Sequence, residues 1–188
     1  MKRTALFFGS FNPIHNGHIG IGRAVLNQQK ADVVHYILTP QNPHKNTDAL
    51  LPERHRWKML IKALEPYNGL VANDIELHMP KPSYTAKTLQ KLTAEHPNIN
   101  YVILMGADSA IDLATWHNTA YIKQFPLLIY PRNDISLHAF PADQRLQAPL
   151  LNISATSIRE TKDMQQLKDC LPKGVITYMQ AQQLLNDI

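Results

Sequence analysis

The 188-residue sequence predicts an α/β protein built on a doubly wound parallel sheet with helices on both faces. Short apolar runs alternate with stretches of helical periodicity, which is typical of strand–helix–strand units. One of these runs, Tyr101–Met105, reads YVILM, and a strand this apolar is expected to be covered on both faces. Because ligands of such sheets bind beyond the carboxyl ends of the strands, the turns at those ends form the candidate site.

The predicted elements follow in chain order. The predicted strands are Ala5–Phe8, Val33–Leu38, part of Leu70–Leu77, Tyr101–Met105, Leu127–Tyr130 and a short Leu150–Ile153. The predicted helices are Ile19–Gln29, Pro52–Leu64, Tyr84–Ala94 and Val175–Leu185. The loop-rich stretches Thr39–Leu51 and Pro131–Pro149 are expected to lie outside the sheet, and loops of that length are commonly functional. We expect one domain over residues 1–188, with a small C-terminal helical part from about residue 154.

The composition excludes several classes of protein. Hydrophobic residues make up 44% and charged residues 18%, an ordinary globular mix. The net charge of +4 is scattered, so it fits a phosphate-rich small ligand and does not predict nucleic-acid binding. Since Cys170 is the single cysteine, no internal disulfide can form and we expect a cytoplasmic protein. The apolar run Ala5–Phe8 is too short for a signal peptide or a membrane span, so no membrane partner is expected.

The first predicted turn, GSFNPIHNGH at residues 9–18, combines several features of an anion site. Gly9 permits a close approach of the backbone, and Asn12 with Pro13 favours a turn. The following helix would begin near His15 and His18, and the free N–H groups of a helix start attract an anion. Two imidazoles three residues apart can project to one side there. The turn therefore predicts a phosphate cradle with two imidazole donors.

Zinc binding is the competing interpretation of the two histidines. A zinc site needs three or four ligands, and no cysteine or carboxylate in the turn completes the set. We therefore predict no metal-binding residues.

A second candidate anion site lies near the C-terminus, in ISATSIRE at residues 153–160. Hydroxyl groups stand where a short strand leads into a helix, and helix N–H groups lie beside them. Arg159 follows with a fork of donors suited to phosphate oxygens. The hydroxyl residues are Ser154, Thr156 and Ser157.

These two segments resemble the two signatures of the HxGH nucleotidylyltransferases, G-(S/T)-F-D-P-x-H-x-G-H and I-S-(S/T)-T-x-(I/V)-R. The resemblance implies a Rossmann-like nucleotidylyltransferase fold in which His15, His18 and Arg159 are catalytic. Asn12 departs from the commoner aspartate and removes one charge near the triphosphate. The ATP-binding residues that the resemblance implies are Gly9, Ser10, Phe11, Asn12, His15, His18, Arg132, Ser154, Thr156, Ser157 and Arg159.

Three further stretches resemble the nicotinate-nucleotide adenylyltransferase branch: TPQNPHK at 39–45, PSYTAKTL at 82–89 and GADSAIDLATW at 106–116. This resemblance implies that ATP and nicotinate mononucleotide react to give nicotinate adenine dinucleotide and pyrophosphate, with Mg²⁺ carried by ATP. The residues implied to bind nicotinate mononucleotide are His44, Lys45, Tyr84, Thr85, Asp108 and Trp116. An enzyme acting on the amide nucleotide, one acting on phosphopantetheine and a non-catalytic nucleotide sensor are the alternatives, and a homo-oligomer is left open.

Four of these residues also have a simpler interpretation. Lys45 could be a solvated loop residue, and Trp116 could belong to the core rather than stack on a pyridinium ring. Asp108 and Thr85 could be helix caps rather than ligands of a ribose and a carboxylate. The chemistry itself needs no strong base, because a phosphate monoester is mostly dianionic at pH 7. We therefore expect His15 and His18 to donate hydrogen bonds to phosphate oxygens.

Overall fold

Within the computed structural model, residues 2–43, 50–132, 134–148, 153–161 and 163–186 are described. Over these residues, five parallel strands form one sheet in the order β3-β2-β1-β4-β5. The strands are β1 (Arg3–Gly9), β2 (Val33–Leu38), β3 (Leu70–Asn73), β4 (Asn100–Gly106) and β5 (Leu127–Tyr130). The predicted doubly wound parallel sheet is confirmed.

The helices of the described residues alternate with these strands. They are α1 (Asn16–Asn27), α2 (Glu53–Leu64), α3 (Thr85–Glu95), α4 (Ala107–Asp112), α5 (Thr119–Ile122), α6 (Ala155–Glu160), α7 (Met164–Cys170) and α8 (Lys173–Ala181). Short 3₁₀ turns cover Ile75–His78, Leu113–Thr115, Leu137–Ala139, Ala142–Gln144 and Leu184–Asn186. No described helix combines the length and the apolar character that crossing a membrane requires.

Two apolar layers cover the two faces of the sheet. Alternate residues of β1 point to opposite faces, as the pleat of a strand requires. Ala5 and Phe7 join a cluster that contains residues of α1, α2 and α8. Leu6 joins the other cluster, with residues of α3 and α5. All four pairs of adjacent strands in the described sheet run parallel, so the carboxyl ends of the strands meet at one edge.

Local turn chemistry explains where the observed elements differ from the predicted ones. β3 ends at Asn73, because the Asn73 side chain accepts a hydrogen bond from the backbone of Ile75 at 2.9 Å and starts a 3₁₀ turn. Gln183 has a φ of 57°, so α8 ends before the predicted Leu185. The predicted strand Leu150–Ile153 lies outside the described residues except for Ile153, which is not in a strand.

The loop at Pro131–Pro149 approaches the sheet more closely than expected. Arg145 forms a parallel bridge with Ile129 of β5, and the backbone of Leu146 donates to the Ile129 carbonyl at 2.9 Å. Leu146 is fully buried. The described part of this stretch adds no strand to the sheet, as expected, but one isolated bridge and the buried Leu146 attach it to the edge strand.

Candidate active site

A cavity of about 790 Å³ opens at the carboxyl ends of the strands. In the sheet order, β1 lies between β2 and β4, so the chain leaves β1 in one direction and returns on its other side. A crevice is expected at such a switch point. The predicted site residues that line it are Gly9, Ser10, Phe11, Asn12, His15, His18, Tyr84, Thr85, Trp116, Arg132, Ser154, Thr156, Ser157 and Arg159.

Three predicted site residues are not among the described lining of the cavity. His44 and Lys45 lie outside the described residues. Asp108 is not part of the described cavity lining, although its neighbour Ser109 is. Its carboxylate accepts from the backbone N–H of Ser109 at 2.8 Å and lies 3.3 Å from Arg132 Nε. The binding roles inferred for these three residues stay predictions.

The turn after β1 is held in a strained and closely packed form. Phe11 has a φ of 43°, in the left-handed region that side chains rarely adopt. Its ring packs edge-on against Phe7 at 5.7 Å and against His18 at 5.1 Å between centroids. A Cβ at Gly9 would lie 2.8 Å from the Phe11 ring, so only glycine fits beside it. The turn thus places residues 9–12 in the lining of the cavity.

The two histidines form a stacked pair at the start of α1. Their ring centroids are 3.7 Å apart with an interplanar angle of 30°. His15 is the N-cap residue, and its backbone N–H donates to His18 Nδ1 at 3.3 Å. Because Nδ1 accepts this bond, neutral His18 carries its proton on Nε2. A Cβ at Gly17 would approach His15 Nδ1 to 2.9 Å, so the glycine makes room for the imidazole.

His15 is almost fully buried, and its charge state follows from that. Burial, assisted by the positive charge of Arg132, lowers the pKa of His15 from 6.5 to about 4. Its side chain forms a capping box with the start of α1, accepting from the backbone N–H of His18, and its Nδ1 is buried there. The other ring nitrogen, Nε2, is then the protonated one and can donate to a ligand.

Tyr36 of β2 helps to hold His18 in position. Its hydroxyl donates to the His18 carbonyl at 2.9 Å, and its ring packs against Phe7 at 5.3 Å. Burial raises the pKa of Tyr36, so the phenol stays protonated and remains a donor. A Cβ at Gly22 would collide with the Tyr36 hydroxyl. The first two turns of α1 are therefore fixed against β2.

The C-terminal element meets the first turn directly. Ser154 caps α6, accepting from the backbone N–H of Ser157 at 2.9 Å. Arg159 Nη1 donates to the Asn12 carbonyl at 2.8 Å, across 147 residues of sequence. Arg159 Nη2 lies 3.3 Å from Thr156 Oγ1. The two segments that carry the family resemblance thus form adjacent walls of one cavity.

The opposite wall consists of the start of α3 and the turn after α4. Tyr84 is the N-cap residue of α3, and its ring lies 4.7 Å from that of His117 between centroids. Lys87 Nζ lies 5.1 Å from the Tyr84 ring centroid. Trp116 and Thr85 line the cavity on this side. An aromatic group beside free helix N–H groups can bind a flat ring that carries an anion.

Arg132 lines the cavity just after β5 and contacts one residue after β4 and one in β5. Its guanidinium faces the Asp108 carboxylate and lies 3.5 Å from the Tyr130 hydroxyl. Tyr130 and the Asp108 charge raise the pKa of Arg132 against the opposing effect of burial, so the group stays charged. A Cβ at Gly106 would approach the Asp108 carboxylate to 2.5 Å, which explains the glycine at the end of β4.

Sequence reasoning missed several polar residues in and beside the cavity. Glu76, Ser83 and His117 line the cavity. Arg56 is 1% exposed and binds the carbonyls of Leu51, Ser10, Thr39 and Pro40 at 2.8–2.9 Å. The sequence gives little indication of these residues. Arg56 and Glu76 stand in stretches that look like polar surface, and they become buried only when the chain folds.

Comparisons with known proteins agree with this geometry. The model of the cytidylyltransferase-like family matches residues 6–161. A protein of Cytophaga hutchinsonii named probable nicotinate-nucleotide adenylyltransferase is 40% identical over 162 residues, or 84% of each protein. One of Christiangramia forsetii with the same name is 33% identical, over 89% of this chain and 92% of that protein.

Among solved structures, the nicotinic acid mononucleotide adenylyltransferase of Plasmodium falciparum complexed with NaAD has the same fold. Its TM-score is 0.83 at 20% identity, covering 100% of this chain and 99% of the other.

Proposed function

This chain belongs to the cytidylyltransferase-like family, and we propose that it is the nicotinate-nucleotide adenylyltransferase of NAD biosynthesis. It transfers the adenylyl group of ATP to nicotinate mononucleotide and releases pyrophosphate. The observation that carries this function is the meeting of two distant segments in one cavity, where Arg159 donates to the Asn12 carbonyl at 2.8 Å. His15 and His18 lie on the same cavity wall.

The chemistry is a displacement at the α-phosphorus of ATP. An oxygen of the nucleotide 5′-phosphate forms the new P–O bond, and the bond to the bridging oxygen breaks, so pyrophosphate leaves with the electron pair. The nucleophile is already mostly dianionic at pH 7 and needs no base. The protein must align two anions and stabilise the charge that spreads over the phosphoryl group.

Different residues of one cavity wall would bind different phosphate groups of ATP. His15 and His18, at the start of α1, donate to oxygens of the α-phosphate. Ser154, Thr156, Ser157 and Arg159 hold the β- and γ-phosphates. Arg132 adds positive charge on the ATP side.

The other wall would hold the pyridine nucleotide. Backbone N–H groups near Thr85 and the indole of Trp116 bind the nicotinate ring and its carboxylate, with Tyr84 beside them. Asp108 binds a ribose hydroxyl, and His44 with Lys45 binds the 5′-phosphate.

Mg²⁺ would enter this site with ATP. Over the described residues, no group of three or more histidine, cysteine, aspartate or glutamate side chains is arranged to hold a metal ion. We therefore propose that phosphate oxygens and water hold the cation, which is how Mg²⁺ is commonly bound. When bound, it would neutralise charge on the triphosphate. We expect the reaction to take place in the cytoplasm.

A pyrophosphate-release assay tests the function. The purified chain is mixed with ATP and Mg²⁺ and with nicotinate mononucleotide, nicotinamide mononucleotide or phosphopantetheine. We expect kcat/KM for the nicotinate nucleotide to exceed that for the amide by about tenfold or more, because donors that match a carboxylate pair poorly with an amide. Equal kcat/KM for the acid and amide nucleotides would contradict the acid preference, and no turnover of either would contradict the function.

A further inference from the structure

Asn12 is a buried polar residue in the turn after β1, at the edge of the cavity. Only 4% of it is exposed. Its side-chain Oδ1 accepts a hydrogen bond at 3.0 Å from the backbone N–H of Leu51, which lies 39 residues further along the chain and just before α2. Because the donor is an N–H group, the atom that faces it is the amide oxygen and not the amide nitrogen. The Asn12 side chain therefore joins the first turn to the segment that leads into α2.

The backbone of Leu51 is held from two sides. Its N–H group donates to Asn12, and its carbonyl accepts from Arg56 Nε at 2.9 Å. Leu51 is 8% exposed, so little solvent reaches it. A buried N–H group that loses its acceptor is costly, and the turn would shift to reduce that cost. The position of the first turn thus depends on an acceptor at Asn12.

The backbone of Asn12 contacts the second anion-binding segment. Its carbonyl accepts from Arg159 Nη1 at 2.8 Å, while Arg159 Nη2 lies 3.3 Å from Thr156 Oγ1. A guanidinium has five N–H groups in one plane, so two contacts with the protein can fix that plane while other N–H groups bind a phosphate. The direction of the Asn12 carbonyl depends on the backbone angles of Asn12, and the side-chain bond to Leu51 restrains them. Asn12 thus links the start of α2 to Arg159 through its two oxygens.

We propose that Asn12 is a positioning residue for ATP: its Oδ1 anchors the first turn to Leu51, so that its carbonyl holds the Arg159 guanidinium in the orientation that binds the triphosphate. This inference rests on the proposed function and deepens it. A direct ligand role, which the family resemblance implies for Asn12, would depend on the amide N–H groups, because an amide oxygen cannot pair with a phosphate oxygen. The positioning role depends on the amide oxygen, so the two roles respond differently to substitution.

The first test compares two substitutions of Asn12 in the full chain. Asn12→Leu has a similar size and no acceptor, and we expect it to lower kcat/KM for ATP by about tenfold to a hundredfold. Asn12→Asp keeps an acceptor for the Leu51 N–H and should restore most of the activity that the leucine variant loses. Asn27→Leu and Asn27→Asp, at the exposed end of α1, are the matched controls. Circular dichroism checks the fold, and Asn12→Ala replaces the leucine variant if that chain does not fold.

The second test is a double-mutant cycle with Arg159. If Asn12 acts through this arginine, Asn12→Leu should lower kcat/KM for ATP by less than about threefold in the Arg159→Ala background. A general structural effect would instead multiply with the effect of Arg159→Ala. Calorimetric titration of ATP into the same four proteins gives the cycle a readout that does not depend on turnover.

Three outcomes would overturn the inference and leave the proposed function standing. They are native activity of Asn12→Leu, a loss in Asn12→Asp as large as that in Asn12→Leu, and losses that multiply fully in the cycle. The second of these would mean that the amide N–H groups bind ATP directly. Absence of turnover by the unmodified chain would overturn the proposed function, and the ATP titrations would then decide the role of Asn12 on their own.

Discussion

At the scale of single residues, the site depends on two imidazoles that their neighbours hold in position. The His15 backbone holds His18 Nδ1 at 3.3 Å, so the tautomer of His18 is set by the backbone. Burial holds His15 uncharged at pKa about 4. A neutral donor needs no counterion of its own. It can therefore hydrogen-bond to a phosphoryl oxygen as negative charge develops there.

Replacing His18 with alanine tests this role. We expect His18→Ala to lower kcat by about 10²–10³-fold, the loss typical of one preorganised donor to a transition state. Steady-state pyrophosphate release gives kcat, and circular dichroism checks the fold. His96→Ala, at an exposed position after α3, is the matched control. Full activity of His18→Ala would remove this imidazole from the mechanism.

The depressed pKa of His15 makes stability depend on pH. The unfolded chain binds a proton at His15 below about pH 6.5, whereas the folded chain does so only near pH 4, so this stabilisation is present above pH 6.5 and is lost as the pH falls towards 4. Between pH 7 and pH 5 the loss is about 2 kcal/mol for the stated pKa values. Urea denaturation of the native chain and His15→Gln at both pH values measures it. An equal change in the two proteins would contradict the burial argument.

At the scale of elements, Arg56 of α2 ties together the turns that follow β1 and β2. Its guanidinium reaches the carbonyl of Ser10 after one strand and those of Thr39 and Pro40 after the other. Five planar donors on one buried side chain can satisfy several carbonyls that the sheet leaves unpaired. The helix therefore fixes the turns after β1 and β2 relative to each other.

Removing this guanidinium should affect both stability and activity. Arg56→Met leaves several buried carbonyls unpaired, and we expect a loss of about 3 kcal/mol or more in the free energy of unfolding. Both KM values should rise, because the turns that line the cavity lose their support. Thermal denaturation and initial-rate kinetics measure the two effects. Lys58→Met, on the exposed side of α2, serves as the comparison, and equal stability of the two variants would exclude this role.

At the scale of the whole molecule, the order of the strands brings the two ends of the chain together. α1 follows the central strand β1, and residues of α6 and α7 contact the start of α1 and the turn before it. Asn16 donates to the carbonyl of Asp169 at 2.9 Å, and Arg159 donates to that of Asn12 at 2.8 Å. A ligand that contacts both terminal segments should therefore raise the free energy of unfolding of the whole chain.

This closure predicts how ATP affects stability. ATP with Mg²⁺ at one hundred times its dissociation constant should raise the free energy of unfolding by about 2.7 kcal/mol. Arg159→Ala should weaken ATP binding by about tenfold to a hundredfold, and so lower the stabilisation at the same ATP concentration. Thermal-shift titrations measure it, with Lys168→Ala on the exposed side of α7 as control. An undiminished shift in Arg159→Ala would show that this arginine does not bind ATP.

The sequence by itself determined the parallel sheet and the two anion-binding segments. Runs such as Tyr101–Met105 have the apolar pattern of buried strands. In the turn with His15 and His18, the candidate functional side chains lie close together in the sequence. Local patterns of this kind are written in consecutive residues and can be recognised without the fold.

Only the tertiary structure decided which polar residues are buried and what they face. Arg56 and Glu76 look like surface residues in the sequence, yet both are 1% exposed. The pairing of Asp108 with Arg132, which follows a different strand, is likewise absent from the sequence pattern. Burial and pairing depend on segments far apart in the chain, so the pKa of a group and the partner of a hydrogen bond are set only when those segments meet.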